Sequence, residues 1–393
     1  MKTGWRKVAL GDAFTTVTGN TPPKGSAHYY GHDIPLVKPP ELRDCPIDSA
    51  EDGLSRSGAE VARIAPPNSI LVSCIGNLGK VGFNTIPVAF NQQINAIITN
   101  EAQVYPYFMF YQALSDAFRD QLKSLSSGTT VSIVNKSKFN SIEIVLPPLQ
   151  EQKRIVTILD EAFDGIATAK ANAEKNLQNA REVFENQLLS IFSNPGEGWV
   201  GKTLKQIAMD FGRGRSRHRP RNEPGLYGGP YPFIQTGDIR NADHLITEYT
   251  QTYSELGLSQ SKLWPKGTLC ITIAANIAET GILNFDSCFP DSVIGVVVDE
   301  RQTSTKFLEY LLQSVKSDLK AKGKGSAQDN INLGTFENHL FPFPDLTIQS
   351  FITNQLDALS KEVQNLESIY QQKLTALDEL NQSLLHRAFN GDL

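Results

Sequence analysis

Five guanidinium groups fall within nine residues at Arg213, Arg215, Arg217, Arg219 and Arg221, in the run RGRSRHRPR. Gly, Ser and Pro between them keep the backbone open. Fixed positive charge at that density suits phosphate contacts, and an arginine fork suits paired hydrogen bonds to guanine O6 and N7. The alternative for the same run is a solvated surface loop. Elsewhere, Lys38 and Arg43 follow a strand-like run in IPLVKPPELRD, and Gln235 and Arg240 follow one in YPFIQTGDIRN. These four either face a nucleic acid or bridge to Glu41 and Asp238 as local structure. Asn77 and Lys80 lie in SCIGNLGKVGF, and Asn276 lies in TIAANIAETGI. An asparagine before glycines is also an ordinary turn former. Gln92 and Gln93 have amides that could read adenine edges, where the second half of the chain has Asp291 and Ser292.

Motifs for catalysis are weaker. Gly196 to Thr203, GEGWVGKT, matches the pattern GxxxxGK[ST]. A phosphate loop needs a strand feeding it and a helix leaving it. A long helix ending at Asn194-Pro195 feeds this stretch, so the reading is an interdomain turn. The Pro-Pro pairs stand in TPPK, KPPE, APPN and LPPL, none of which is the Asn/Asp-Pro-Pro-aromatic tetrapeptide of amino-methyltransferases. No GxGxxG joins a strand to a helix. His28 and His32 lack the glutamate of HExxH, so no metal site is expected. Cys45, Cys74, Cys270 and Cys288 form no CxxC pair and read as buried reduced thiols. No signal sequence or 18-residue apolar window appears, which points to a soluble cytoplasmic protein.

The elements that must position these residues are organised around two long helices. From Ile155, apolar residues recur at Leu159, Ala162, Ile166, Ala169, Ala173, Leu177, Ala180, Phe184, Leu188 and Ile191, ten steps over 36 residues. The mean step is the α-helical period. The helix would span Gln150 to Asn194, about 65 Å at 1.5 Å per residue. A second stripe runs through Ile352, Leu356, Leu359, Val363, Leu366, Tyr370, Leu377, Leu380 and Leu384. Each stripe needs a partner, and the other supplies it as an intramolecular antiparallel coiled coil that would hold two globules apart. The alternative is that each helix packs on its own globule.

The globules also repeat, at a nearly constant offset. Gly4-Trp5 meets Gly198-Trp199, Gly82 meets Gly281, Phe90 meets Phe289, Asn135 meets Asn332, and Leu159-Asp160 meets Leu356-Asp357. Short β-like runs and a closing helix in each half give a mixed α/β unit, so the fold class is α+β with internal pseudo-twofold repetition. The expected domains are 1–146, a central helix at 147–196, a second globule at 197–341 and a C-terminal helix at 342–393. Formal net charge is −5. The globules hold 13 Lys/Arg against 12 Asp/Glu and 16 against 15, while the helical segments hold 5 against 8 and 3 against 7. The acid excess lies on the helices and leaves the globules able to present basic faces to DNA.

The whole chain resembles the specificity subunit of type I restriction-modification systems. The carrying residues are the globule-helix repeat, IPLVKPPELRD and YPFIQTGDIRN, LPPLQEQKRIVTILD, KGSAQDNIN and the C-terminal NQSLLHRAFNGDL. The resemblance implies two target-recognition domains, each reading one half of a bipartite asymmetric site in double-stranded DNA. It implies no catalysis in this chain and no cofactor of its own. S-adenosylmethionine, ATP and Mg would belong to partners: two modification (methyltransferase) subunits and, through them, the restriction subunits. Ile158, Phe163, Phe184, Phe351 and Ile369 lie partly off the main stripes and are candidate docking residues. Helices of about 65 Å limit the half-site centres to about 19 bp apart. Two other classes compete: a coiled-coil scaffold whose globules bind non-DNA partners, and a nucleotide hydrolase using GEGWVGKT.

Overall fold

The computed structural model describes residues 4–128, 130–216, 223–274, 278–316 and 333–393. Its chain divides into two compact units, Met1–Glu174 with Gln371–Leu393, and Lys175–Tyr370. Among the described residues no helix is long and apolar enough to cross a membrane.

The first unit closes its globule by pairing its beginning with its end. Strand Arg6–Ala9 runs antiparallel to Glu143–Leu146, directly before the first long helix. A five-stranded sheet takes the order Thr15–Thr18, Ile94–Ile98, Ile70–Ser73, Val81–Asn84 and Cys45–Ile47. The last pair is parallel, and the other neighbours are antiparallel. A four-stranded sheet of Gly53–Leu54, Tyr30–Val37, Val88–Phe90 and Ile64–Ala65 lies alongside. The central strands of the five-stranded sheet read in sequence as near-continuous apolar runs because both faces are buried. Ile70 to Ser73 and Val81 to Asn84 are buried at every position. Helices Pro106–Leu114 and Asp116–Ser124 contribute Phe108, Phe118 and Leu122 to the core.

The second unit writes the same plan again. Val200–Lys202 pairs with Phe341–Phe343 before the second long helix. Its five-stranded sheet orders Ala208–Arg213, Val293–Val298, Leu269–Thr272, Thr280–Leu283 and Leu245–Ile246, again with one parallel pair at the edge. The repeat extends to glycine chemistry. Gly4 and Gly198 hold φ of +84° and +85°, a left-handed conformation that glycine adopts at no steric cost.

The long helices are Leu149–Ser193 and Leu346–Asn390, 45 residues each. In the first unit Arg154 Nη2 donates to the Leu393 carbonyl at 2.7 Å and Lys170 pairs with Asp378. Rising numbers on one helix meet falling numbers on the other, so the segments are antiparallel. In the second unit Arg181 Nε meets Glu367 Oε1 at 2.6 Å, and Leu188 and Phe192 share a core with Ile352 and Leu356. Packing on a partner helix and packing on a globule occur together. Ile155, Val156 and Leu159 sit with Leu385, Ala388 and Phe389 in the same buried cluster as Phe108 and Phe139. Each large side chain so buried contributes about 1.5–3 kcal/mol.

Three sequence expectations change. The closing helix expected in the first half, over the run YPYFMFYQALSDAFRDQLKSL from Tyr105 to Leu125, is two helices, because Ser115 turns extended (ψ 148°) and its hydroxyl accepts the Phe118 N–H. Leu366 and Leu380 are 41% and 45% exposed. Period-keeping Val363, Tyr370, Leu374 and Leu377 occupy the more buried side instead, and Leu366 and Leu380 lie about 50° and about 90° from its centre. Cys45 is exposed, although Cys74, Cys270 and Cys288 are buried. Phe163 and Phe184 lean on Tyr111 and Tyr310 of their own units, with ring centroids 5.3 and 6.2 Å apart.

Candidate nucleic-acid interface

In the first unit, backbone hydrogen bonds gather the candidate residues at one end of the sheets. Gly19 N–H donates to Ile94 O at 3.0 Å, and Asn91 N–H to Val37 O at 3.1 Å. Cys74 N–H donates to Gln93 O at 2.8 Å, Ser73 N–H to Lys80 O at 2.9 Å, and Asp44 N–H to Val81 O at 2.8 Å. Lys38, Arg43, Asn77, Lys80, Gln92 and Gln93 therefore all sit on loops at the same sheet end, although up to 55 residues separate them in sequence. A cleft of about 980 Å³ opens there, lined by Asn20, Thr21, Lys24, Lys38, Gln92 and Gln93 among others.

The local-structure alternative for Lys38 resolves in an unexpected way. The Glu41 carboxylate accepts the Lys38 backbone N–H at 2.6 Å, capping the turn Pro39–Glu41, while the Lys38 ammonium pairs with Asp52. The second unit repeats the cap: Asp238 accepts the Gln235 N–H at 2.7 Å, and the Gln235 amide donates to Gln251 at 2.8 Å. The carboxylates thus hold backbone and leave the side chains at Lys38 and Gln235 to face elsewhere. Arg43 and Arg240 are exposed, each with one long Nε contact of 3.4 Å to Pro40 O and Asn241 Oδ1. Asn77 is exposed, and its carbonyl accepts the Ser73 hydroxyl at 2.6 Å.

Sequence reading missed Arg119. Its guanidinium donates to Gly79 O at 3.2 Å and meets Asp44 Oδ2 at 2.6 Å, joining the loop after Ser73 to the loop after Arg43. It also missed Asn20, Thr21 and Lys24, whose one signal was their place in the loop GNTPPK. In the second unit Gly214 N–H donates to Val293 O at 2.8 Å and Arg215 N–H to Phe289 O at 3.1 Å, which places Arg213 and Arg215 at the matching sheet end. Arg213 Nε donates to Asp291 O at 2.7 Å. Arg217, Arg219, Arg221 and Asn276 lie outside the described residues.

Among the described residues no group of three or more His, Cys, Asp or Glu could hold a metal. In GEGWVGKT, Val200–Lys202 is a strand paired with Phe341–Phe343, and the Thr203 hydroxyl caps a four-residue helix by accepting Gln206 N–H. That backbone is engaged as a sheet edge and cap, unlike a phosphate cradle. Burial pushes the Cys74 thiol up to about 12 and raises Cys270 further, so neither is a thiolate nucleophile at neutral pH.

The type I restriction modification DNA specificity domain matches residues 2–178 and again residues 196–375. The HindI specificity subunit of Haemophilus influenzae is 32% identical over 195 residues, which cover 48% of this chain and 41% of that protein. The StySPI specificity subunit of Salmonella potsdam is 21% identical over 419 residues, covering 99% of this chain and 89% of that protein. Among solved structures, a chain from a study of type I restriction-modification complex assembly has a TM-score of 0.82 at 21% identity, covering 100% and 99% of the two chains. The HsdS subunit from Thermoanaerobacter tengcongensis has a TM-score of 0.64 at 20% identity, with 100% and 98% covered. Those two likenesses establish the fold. With two copies of the domain accounting for nearly all its residues, the chain belongs to the family of type I restriction-modification DNA specificity subunits, a non-catalytic family.

Proposed function

We propose that this chain gives a type I restriction-modification complex its DNA address, each unit reading one half of a bipartite asymmetric site. The observation that carries the reading is the doubled specificity domain, in which both copies end their five-stranded sheet in loops at the same place. The loops carry different side chains, Gln92 and Gln93 in one unit and Asp291 and Ser292 in the other. Two non-identical readers imply two non-identical half-sites. Positive groups at Lys24, Lys80, Arg43, Arg215 and Arg240 would hold phosphates, and amide groups would meet base edges.

Two modification subunits would dock on the helices and supply methylation with S-adenosylmethionine, and restriction subunits using ATP and Mg would join through them. Phe351 and Ile369 are 61% and 48% exposed and support a docking role, while Ile158 is half-buried and Phe163 and Phe184 face their own globules. Helix length would set the unread spacer. Removing one heptad from each long helix, about 10 Å or about 3 bp, should shorten the spacer of the methylated motif. Methylation sequencing of the co-expressed complex reads this directly, and an unchanged spacer would refute it.

A further inference from the structure

We propose that Gln93 is a specificity-determining residue that requires guanine at one position of one half-site, and that Asn91 sets this preference by fixing which way the Gln93 amide points. The proposal rests on the DNA-reading function above.

The orientation follows from a chain of donors. Asn91 to Ile94 form a tight turn, closed by Ile94 N–H to Asn91 O at 3.1 Å and anchored by Asn91 N–H to Val37 O at 3.1 Å. The Gln93 backbone N–H, which can only donate, meets Asn91 Oδ1 at 3.1 Å. Asn91 is buried, so its side-chain oxygen is committed to that contact and its nitrogen must face the other way. That nitrogen donates to Gln93 Oε1 at 3.0 Å. Oxygen and nitrogen of an amide are hard to tell apart by shape, but here an unambiguous backbone donor decides both groups in turn. The Gln93 oxygen is held inward, and its NH2 is the part left for a ligand. Among the described residues that NH2 has no hydrogen-bond partner. The Gln93 backbone carbonyl is also fixed, by Cys74 N–H at 2.8 Å.

A presented NH2 discriminates among bases by sign. Adenine offers the major groove one acceptor and one amine, which calls for both ends of an amide. Cytosine offers an amine, donor against donor, and thymine offers a single acceptor, O4, which meets one N–H where guanine meets two. Guanine offers O6 and N7, two adjacent acceptors, and satisfies the outward NH2 without needing the oxygen. The cleft around Gln93 adds a further donor at Lys24, the cleft carboxylate Asp52 is taken up by Lys38, and Thr21 Oγ1 donates to Gln92 Oε1 at 3.2 Å, turning that oxygen from the ligand as well. In the second unit the same turn, closed by Val293 N–H to Pro290 O at 3.1 Å, carries Asp291 and Ser292 and no such amide pair. The other half-site therefore serves as an internal control.

The test uses the full chain co-expressed with its modification subunits, with methylated adenines mapped genome-wide by single-molecule sequencing. Wild type should require a guanine, on either strand, at a position of one half-site. Asn91→Asp keeps the acceptor for Gln93 N–H but replaces the donor to Gln93 Oε1. The Gln93 amide should then reverse, and preference at that one base pair should move from guanine to an amine-bearing base by about tenfold or more. Gln93→Met keeps the shape without the amide and should relax the same position, which covers the case in which Asn91→Asp fails to assemble. The second half-site should stay unchanged in both. A wild-type motif without such a guanine, or variants that methylate the wild-type motif unaltered, would overturn the assignment to Gln93. A wild-type complex that methylates no gapped motif would instead overturn the DNA-reading function itself.

Discussion

The backbone N–H of Tyr105 donates to the side-chain oxygen of Gln152 at 2.8 Å, tying the globule of the first unit to the first turn of its long helix. The same amide donates to the Pro147 carbonyl at 2.9 Å. Gln349 repeats the latch, accepting the Thr303 hydroxyl at 2.9 Å and donating to Pro344 O at 2.9 Å and Gln302 O at 3.0 Å. Both glutamines are 1% exposed. Gln152→Ala leaves buried backbone groups unpaired and should cost about 1–3 kcal/mol. Calorimetry should show a melting temperature lower by several degrees, and an unchanged one would refute the latch.

Gly19 is a second sensitive point, because a Cβ there would lie 2.2 Å from Asn91 O and 2.3 Å from Phe90 O. Gly19→Ala should cost about 1–3 kcal/mol through overpacking and lift the Thr21-bearing loop from the cleft. Gly165 has nothing within 4 Å of its would-be Cβ and lies inside a helix, so Gly165→Ala should be neutral or stabilising by up to about 1 kcal/mol. Unfolding midpoints of the two variants that fail to separate in this order would contradict the packing assigned here.

The second unit carries a pH-dependent pair. Glu309 is fully buried, and its Oε2 lies 2.9 Å from His244 Nδ1. The hydrogen bond from Glu309 raises His244 above the usual imidazole range despite opposing desolvation, while burial raises Glu309 above the usual carboxylate range. Both groups therefore bind a proton more tightly in the folded protein than in the unfolded chain. The stabilisation from His244 is fully present below about pH 6.5, the unfolded imidazole value, and is lost as pH rises through the higher folded value. Thermal melts should show the second unit weakening with rising pH above that point, and His244→Gln should flatten the dependence. A wild-type melt that strengthens over this range would refute the assignment.

Arg215 sits at the sheet end of the second unit with its side chain exposed. Arg215→Ala should weaken DNA binding by the assembled complex about equally across sequences. It should also lower the slope of log affinity against log salt by about one phosphate's worth, roughly 0.9. Fluorescence anisotropy at several salt concentrations measures both quantities. A change in sequence preference with an unchanged salt slope would show that Arg215 reads bases instead.

Much of this architecture is legible in the residues. The 3.6 period of Ile155 to Ile191 marks a helix because ten consecutive steps hold it, and VIGVVV marks a buried strand because both faces need apolar cover. The paired offsets of Gly82 with Gly281 and Phe90 with Phe289 reflect the same close contacts made twice. A Cβ on Gly82 would force Ile47, whose Cδ1 would stand 2.3 Å away, to shift, and one on Gly281 would force Ile246, whose Cγ1 would stand 2.9 Å away. What sequence does not display is three-dimensional neighbourhood. Arg119 looks like a helix-surface cation and proves to join two loops, and Asn91 looks like a turn former and proves to orient Gln93. Phe163 and Phe184 each rest against a tyrosine of their own globule, Tyr111 and Tyr310, a neighbourhood that the helical spacing does not display.

The most direct test of the central claim is the genome-wide methylation pattern produced by this chain together with its modification subunits. A gapped motif with two different half-sites and a fixed unread spacer is expected, with a methylated adenine in each half. A continuous motif, or two identical half-sites, would contradict the assignment of one half-site to each unit.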